Sequence, residues 1–329
     1  MSRRQPGELP TDPALRGHPR LRSYVRESFA VHRRQDLGTD LAAQLWAWQL
    51  LMTDAGCFTA LTSAQVRGWW MPPLPGATPV FMAMEIDDPR PMRAGVRTSR
   101  HTRAVGREEI AGLRCATAAE TLLACARWLC VVDLVILIDC ALHRGDCDAD
   151  RIREVITPRR PGGRALARGL ALADGRSESA YETLLRLLHV VCGIEVEPQY
   201  VILGPHGNEI ARSDLRIVGT TGLPEYDGDD HEKGPRRVKD RRRDRALEKA
   251  GYVRRGYTAG DVLHRGVTIL EDADRSLGRP HDLSRIRPWH EHLRRSLFTP
   301  SGSADFLARA VPKLPVRDRL ASADGDDAA

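Results

Sequence analysis

The string Glu225-Tyr226-Asp227-Gly228-Asp229-Asp230-His231 gathers more reactive side chains than any other stretch of the chain. If it ends a strand, Glu225 and Asp227 stand at i and i+2 and project from one face. Asp214 falls in the strand expected before it, and Glu182 on the helix before that. Pairing of those two strands through a turn at Gly219–Gly222 would make Asp214 and Glu225 neighbours. Carboxylates that close repel one another, and one takes up a proton unless a cation lies between them. A hard divalent ion such as Mg²⁺ or Mn²⁺, which prefers oxygen ligands, suits Asp214, Glu225 and Asp227 as its donors. Such an ion polarises a phosphodiester and lowers the pKa of a bound water. His231 would orient the site, shuttle a proton or ligate the metal. The competing reading is a plain polar turn, because Asp-Gly favours turns.

A second constellation is basic. Arg236, Arg237, Lys239, Arg241, Arg242, Arg243, Arg245 and Lys249 follow within one expected helix and cover most of its circumference. Such a run suits a phosphate-contacting face, since each neutralised phosphate releases counterions and adds affinity. A solvated helix face would carry the same residues. Trp69 and Trp70 fit core anchors better than base-stacking groups, and His143, His189 and the cysteines fit structural positions.

These side chains need a scaffold, and the punctuation supplies one. Ser177 or Ser179 caps a helix through Tyr181, Leu184, Leu185, Leu188 and Val191 that Gly193 ends. Strands are expected over Gln199–Leu203, Glu209–Val218 and Leu223–Asp227, with turns at 204–208 and 219–222. A helix over Pro235–Ala250 has Pro in its first turn and Gly251 after its end. A strand over Tyr252–Tyr257 and a helix from Ala259 follow. The order is αβββαβ over residues 177–265, within a chain of mixed α/β class. Residues 266–329 read as an extension with an acidic, disordered end.

The first half is less sharply marked. Residues 1–36 carry many Arg, Pro and polar residues and read as a flexible tail. Residues 37–157 read as one domain. It holds a helix over Leu37–Met52, a short helix opening at Thr62-Ser63, strands over Val80–Met84 and Val96–Ser99, and apolar helices over Ala116–Arg127 and Cys130–His143. The early part suits a winged-helix-like module or another small α+β domain. The basic stretch Pro158–Gly163 is the expected boundary.

Bulk properties exclude several classes. The chain has 329 residues and a formal net charge of +6, with only four lysines (Lys233, Lys239, Lys249 and Lys313) among 50 basic residues. The basic balance favours a polyanionic partner weakly, because an Arg skew also follows from a GC-rich genome. The seven cysteines are scattered, with no C-x-x-C pair, which argues against a disulfide framework or zinc ribbon. The apolar run from Leu129 to Leu142 is broken by Asp133 and Asp139 and is too short to span a bilayer. Without an apolar leader segment, a cytoplasmic location is expected.

The stretches Ser179–Leu188, Ala211–Leu215, Glu225–Gly228 with His231, and Asp240 with Asp244–Tyr252 resemble actinobacterial endonuclease-domain proteins related to the very-short-patch-repair (Vsr-like) endonucleases, of the PD-(D/E)XK fold. The resemblance covers about residues 177–265. Residues 37–145 are similar, more loosely, to the N-terminal region such proteins share with AbiEi-type antitoxins, a winged-helix-like DNA-binding module. The resemblance implies a metal-dependent DNA endonuclease with Glu182, Asp214, Glu225 and Asp227 as its acids and His231 beside them. It implies, as the alternative, an inactive nuclease fold serving as a DNA-binding regulator or antitoxin. The general motif places Lys where Asp227 stands, although Asp is usual among these relatives. Pro224 occupies a position where an apolar strand residue is expected.

Overall fold

The structure, a computed structural model, describes residues 12–19, 21–38, 41–204, 206–228 and 243–312. It is a mixed α/β chain of two compact units. Of the described residues, those within 12–67, 77–121 and 310–312 form one, and those within 68–76 and 122–309 the other.

In the first unit, strands β1 (Ala14–Arg16), β2 (Tyr24–Ser28) and β3 (Val31–Arg34) form an antiparallel sheet in the order β1-β3-β2. Much of the expected N-terminal tail is therefore ordered sheet. Its arginines hid the pattern, but Ala14 and Val31 face inward and pack on Ala47 of helix α1 (Leu41–Gln49). Strand β4 (Cys57–Phe58) and helix α2 (Ala60–Val66) come next. Strands β5 (Val80–Glu85), β6 (Val96–His101), β7 (Arg107–Ile110) and β8 (Leu113–Ala116) complete a five-stranded sheet ordered β6-β5-β4-β8-β7. Leu45, Trp48, Phe58, Met82 and Leu113 form its core. Thr62 and Ser63 do not open α2 as expected. They lie inside it, where Thr62 Oγ1 accepts the Phe81 N–H at 2.8 Å and Ser63 Oγ lies 2.8 Å from Thr121 Oγ1.

The unit boundary falls near residue 121, in helix α3 (Ala118–Cys125), not near residue 157. Helix α4 (Val131–His143) thus belongs to the second unit, with α5 (Ala149–Val155) and α6 (Gly163–Leu172). Every residue of α4 from Val132 to Ala141 is buried. The two aspartates that interrupt its apolar run are anchors. Asp139 accepts from Thr183 Oγ1 at 3.0 Å, Arg186 Nη2 at 2.9 Å, and the backbone N–H groups of Asp174 and Gly175 at 2.8 and 3.1 Å. Asp133 accepts from Ser296 Oγ and from the Leu297 N–H. A buried carboxylate is tolerated only with such a set of donors.

Arg186 and Thr183 lie on helix α7 (Ala180–Val191), so the Asp139 bonds fix α7 against α4. Ser179 caps α7, accepting the Glu182 N–H at 3.1 Å. Strands β9 (Val196–Leu203) and β10 (Glu209–Ile217) form an antiparallel pair. Strand β11 (Gly222–Tyr226), helix α8 (residues 243–249) and strand β12 (Val253–Tyr257) follow, and β11 and β12 run parallel. The element order expected for residues 177–265 is therefore present where they are described. Helices α9 (Ala259–His264), α10 (Gly266–Ser276), α11 (Arg287–Leu293) and α12 (Pro300–Ala310) follow, so the described part of the expected extension is largely helical. Among the described residues, no helix is long and apolar enough to cross a membrane.

Candidate functional site

The sequence expectation paired the second and third strands of this region, but no ladder joins β10 to β11 among the described residues. The strands lie side by side all the same. Backbone direction and Pro224 explain the missing ladder. The Asp227 N–H donates to Tyr257 O on the β12 side, at 2.9 Å. The Tyr226 N–H points the other way and donates to Asp214 Oδ2 on β10 at 2.8 Å. The two-residue period of a strand puts the Pro224 nitrogen on the β10 side with Tyr226, and that nitrogen has no hydrogen to give. A side chain, Asp214, thus bridges the seam that a backbone ladder would close. Pro224 is accommodated because its imino edge faces this unladdered side.

Asp214 sits among other acids. Burial pushes its carboxyl up to about 7, and the Glu182 and Glu225 carboxylates push in the same direction. Burial also raises the Glu182 carboxyl, although Oε2 accepts from the Glu178 N–H at 2.7 Å and from Gln199 Nε2 at 3.0 Å. Glu182 from α7 and Glu225 from β11 therefore both lie within electrostatic reach of Asp214 on β10.

Glu225 and Asp227 are engaged differently. Glu225 is only 3% exposed. Arg243 of α8 donates to both its oxygens, at 3.0 and 2.5 Å, and Arg254 Nε of β12 donates to Oε2 at 2.5 Å. Arg254 Nη2 also donates to Asp227 Oδ1 at 2.5 Å. One guanidinium thus bridges both acids of the Glu-Tyr-Asp string. Asp227 lies so tightly on β12 that a Cβ at Gly256 would come within 1.7 Å of its Oδ2. Only glycine leaves room for the carboxylate there. Among the described residues, no three His, Cys, Asp or Glu side chains are grouped to hold a metal ion together.

The expected basic face is described only at its end. Arg245 and Lys249 are exposed on α8, whereas Arg243 turns inward to Glu225 and to the Arg212 carbonyl at 2.6 Å. His231, Arg236, Arg237, Lys239, Arg241 and Arg242 lie outside the described residues. The paired arginines were the functional feature that sequence reasoning missed. Their trace was present in β12, where Val253-Arg254-Arg255 is too polar for a central strand. Among the described residues β12 pairs only with β11, and Arg254 faces the buried Glu225 while Arg255 faces Asp272. Beside the acids, the Tyr181 and Tyr226 rings stack with centroids 4.8 Å apart, and Phe298 meets Tyr181 edge-on at 5.7 Å.

Two curated relatives, uncharacterized proteins from two strains of Mycobacterium tuberculosis, are 29% identical to the chain over 236 residues, covering 70% of this chain and 83% of theirs. No protein-family profile and no solved structure matches the chain.

Proposed function

We propose that the second unit carries a PD-(D/E)XK-type core of the Vsr-like kind and that the protein is a metal-dependent DNA endonuclease. The observation that carries this reading is the crowding of Asp214. Asp214 on β10 has Glu182 of α7 and Glu225 of β11 within electrostatic reach, and burial first, then these two carboxylates, push it up to about 7. The order α7, β9, β10, β11, α8, β12 supports it, because it is the αβββαβ order of that fold.

The donor set suits a hard divalent ion such as Mg²⁺ or Mn²⁺, since all its ligand atoms are carboxylate oxygens. Asp214, with Glu182 behind it, Glu225 and Asp227 would hold the ion. When bound, it would polarise a phosphodiester and lower the pKa of a bound water. Arg243 and Arg254 hold Glu225 and Asp227 in place and keep positive charge beside the acids. Exposed Arg245, with the basic run before it, would meet DNA phosphates and set position rather than sequence. Sequence preference would come from the first unit as a winged-helix-like, AbiEi-type DNA-binding module.

The clamp on Glu225 favours a second reading. Two guanidiniums already balance that carboxylate, as suits an inactive nuclease fold that binds DNA as a regulator or antitoxin. A nicking assay on supercoiled plasmid with Mg²⁺, with Mn²⁺ and with neither separates the two. Metal-dependent nicking that Asp214→Asn abolishes is expected. Tight duplex binding without cleavage under any divalent ion replaces the first reading with the second. Binding no stronger than that of an acidic control protein at low salt removes both.

A further inference from the structure

A cavity of about 440 Å³ lies in the second unit, lined by the first turn of α4, by α6, and by residues at and just after the end of α11. Its volume falls within the range of about 300–1,000 Å³ typical of small-molecule sites. The walls are apolar. Leu129 and Leu134 are buried there, and Ala165 and Leu172 face them from α6. The polar lining is almost wholly cationic in type: Arg168 on α6, His292 on α11 and Arg295 just beyond it. Both arginines are exposed, and His292 is half-buried.

Neither Arg168 nor Arg295 has a carboxylate partner among the described residues. Asp274, by contrast, takes Arg279 and Arg285 together. An apolar pocket with two unmatched guanidiniums and an imidazole at its open side is complementary to one kind of molecule. Its body would displace water from the walls, and its charge would be negative and planar enough for a guanidinium fork.

We propose that this cavity binds a small amphiphilic anion, a carboxylate carried on an apolar body. Arg168 and Arg295 hold the carboxylate, His292 donates to it, and Leu129, Leu134 and Leu172 take the hydrocarbon. None of the candidate-site acids lines the cavity, so the assignment stands or falls apart from the nuclease reading.

Isothermal titration of the full-length protein with sodium decanoate, and with 1-decanol as the uncharged control, tests it. Saturable one-to-one binding of decanoate is expected, with 1-decanol weaker. The surface pair Arg168→Gln and Arg295→Gln leaves the walls intact and should weaken decanoate by roughly tenfold or more while leaving 1-decanol unchanged. Ala165→Trp, which fills the cavity, should abolish binding of both. Folding of each variant is checked by its melting temperature. Absence of saturable decanoate binding overturns the proposal, as does binding that neither variant alters. Self-association of the chain that Ala165→Trp abolishes would give the cavity to a second copy and overturn it as well.

Discussion

Asp214 Oδ2 accepts the backbone N–H of Tyr226 at 2.8 Å, so a side chain on β10 does for β11 what a neighbouring strand would otherwise do. The bond ties a titrating group to the seam between two strands. Burial, then Glu182 and Glu225, raises the Asp214 carboxyl from 3.8 to about 7. The folded state therefore holds a proton that the unfolded state has lost between those values, and stability falls as pH rises through that window. Asp214→Asn should flatten this slope and raise stability at about pH 8, by an amount on the order of 2 kcal/mol once residual solvent exposure is discounted. Thermal melts between about pH 4 and pH 8 measure it. An unchanged slope would place the titrating group elsewhere.

Divalent cation should reverse the sign of that substitution. At about pH 8, Mn²⁺ is expected to raise the melting temperature of the wild-type chain, because a ligand at about 100 times its Kd stabilises by about 2.7 kcal/mol. Asp214→Asn should lose most of the gain. A gain that survives the substitution would mean that the ion binds away from these acids.

Gly256→Ala should disturb the acids without touching any of them. The added methyl would come within 1.7 Å of Asp227 Oδ2 and force the carboxylate off its place beside Arg254. A loss of about 1–3 kcal/mol in denaturant unfolding is expected from such overpacking, and plasmid nicking should fall with it. Wild-type stability in the variant would show that Asp227 has room to move.

Arg254→Gln should cost more than an exposed ion pair does, because Glu225 is buried and Arg254 serves both Glu225 and Asp227. About 1–3 kcal/mol is expected, below the full cost of breaking a buried pair because the guanidinium side is 29% exposed. Arg254→Lys should rescue little of it, since a single ammonium lacks the fork that reaches two carboxylates. Full rescue by Lys, read from urea midpoints, would show that charge alone matters there.

Asp139→Ala should be the most damaging of these changes. It would leave the Arg186 guanidinium, two backbone N–H groups and the Thr183 hydroxyl without their acceptor. A loss of about 3–5 kcal/mol is expected for an uncompensated buried charge. Adding Arg186→Met should recover part of it. If the double variant is no more stable than the single one, the cost comes from packing and not from the charge.

The strongly periodic elements were legible in the sequence. Helices α1, α4 and α7 and strands β5 and β6 lie within a few residues of expectation. So do the places of Glu182, Asp214, Glu225 and Asp227. The rest depended on contacts that no local window holds. Strands β1 to β3 are Arg-rich, and β7 is nearly all exposed, so neither shows the alternation of a half-buried strand. The boundary was misplaced because α3 and α4 form one apolar stretch, and nothing local tells which core receives each helix. The acids were legible because three of them lie within fourteen residues. Arg243 and Arg254 were not, because they come 18 and 29 residues after Glu225.

The Pro224 seam has a further consequence for how the region breathes. A continuous sheet opens only by breaking several backbone hydrogen bonds in concert. Here the β9–β10 pair and the β11–β12 pair meet at a junction without a backbone ladder, crossed by side chains: Asp214 to the Tyr226 N–H, Arg243 between Glu225 and the Arg212 carbonyl, and Tyr200 to Tyr252, with a proline where a donor would stand. Separating the pairs breaks these side-chain bonds but leaves both ladders whole, a route to sub-global opening. In hydrogen exchange, the Tyr226 amide should trade its proton well before the Asp227 amide next to it, although the two are consecutive in the chain.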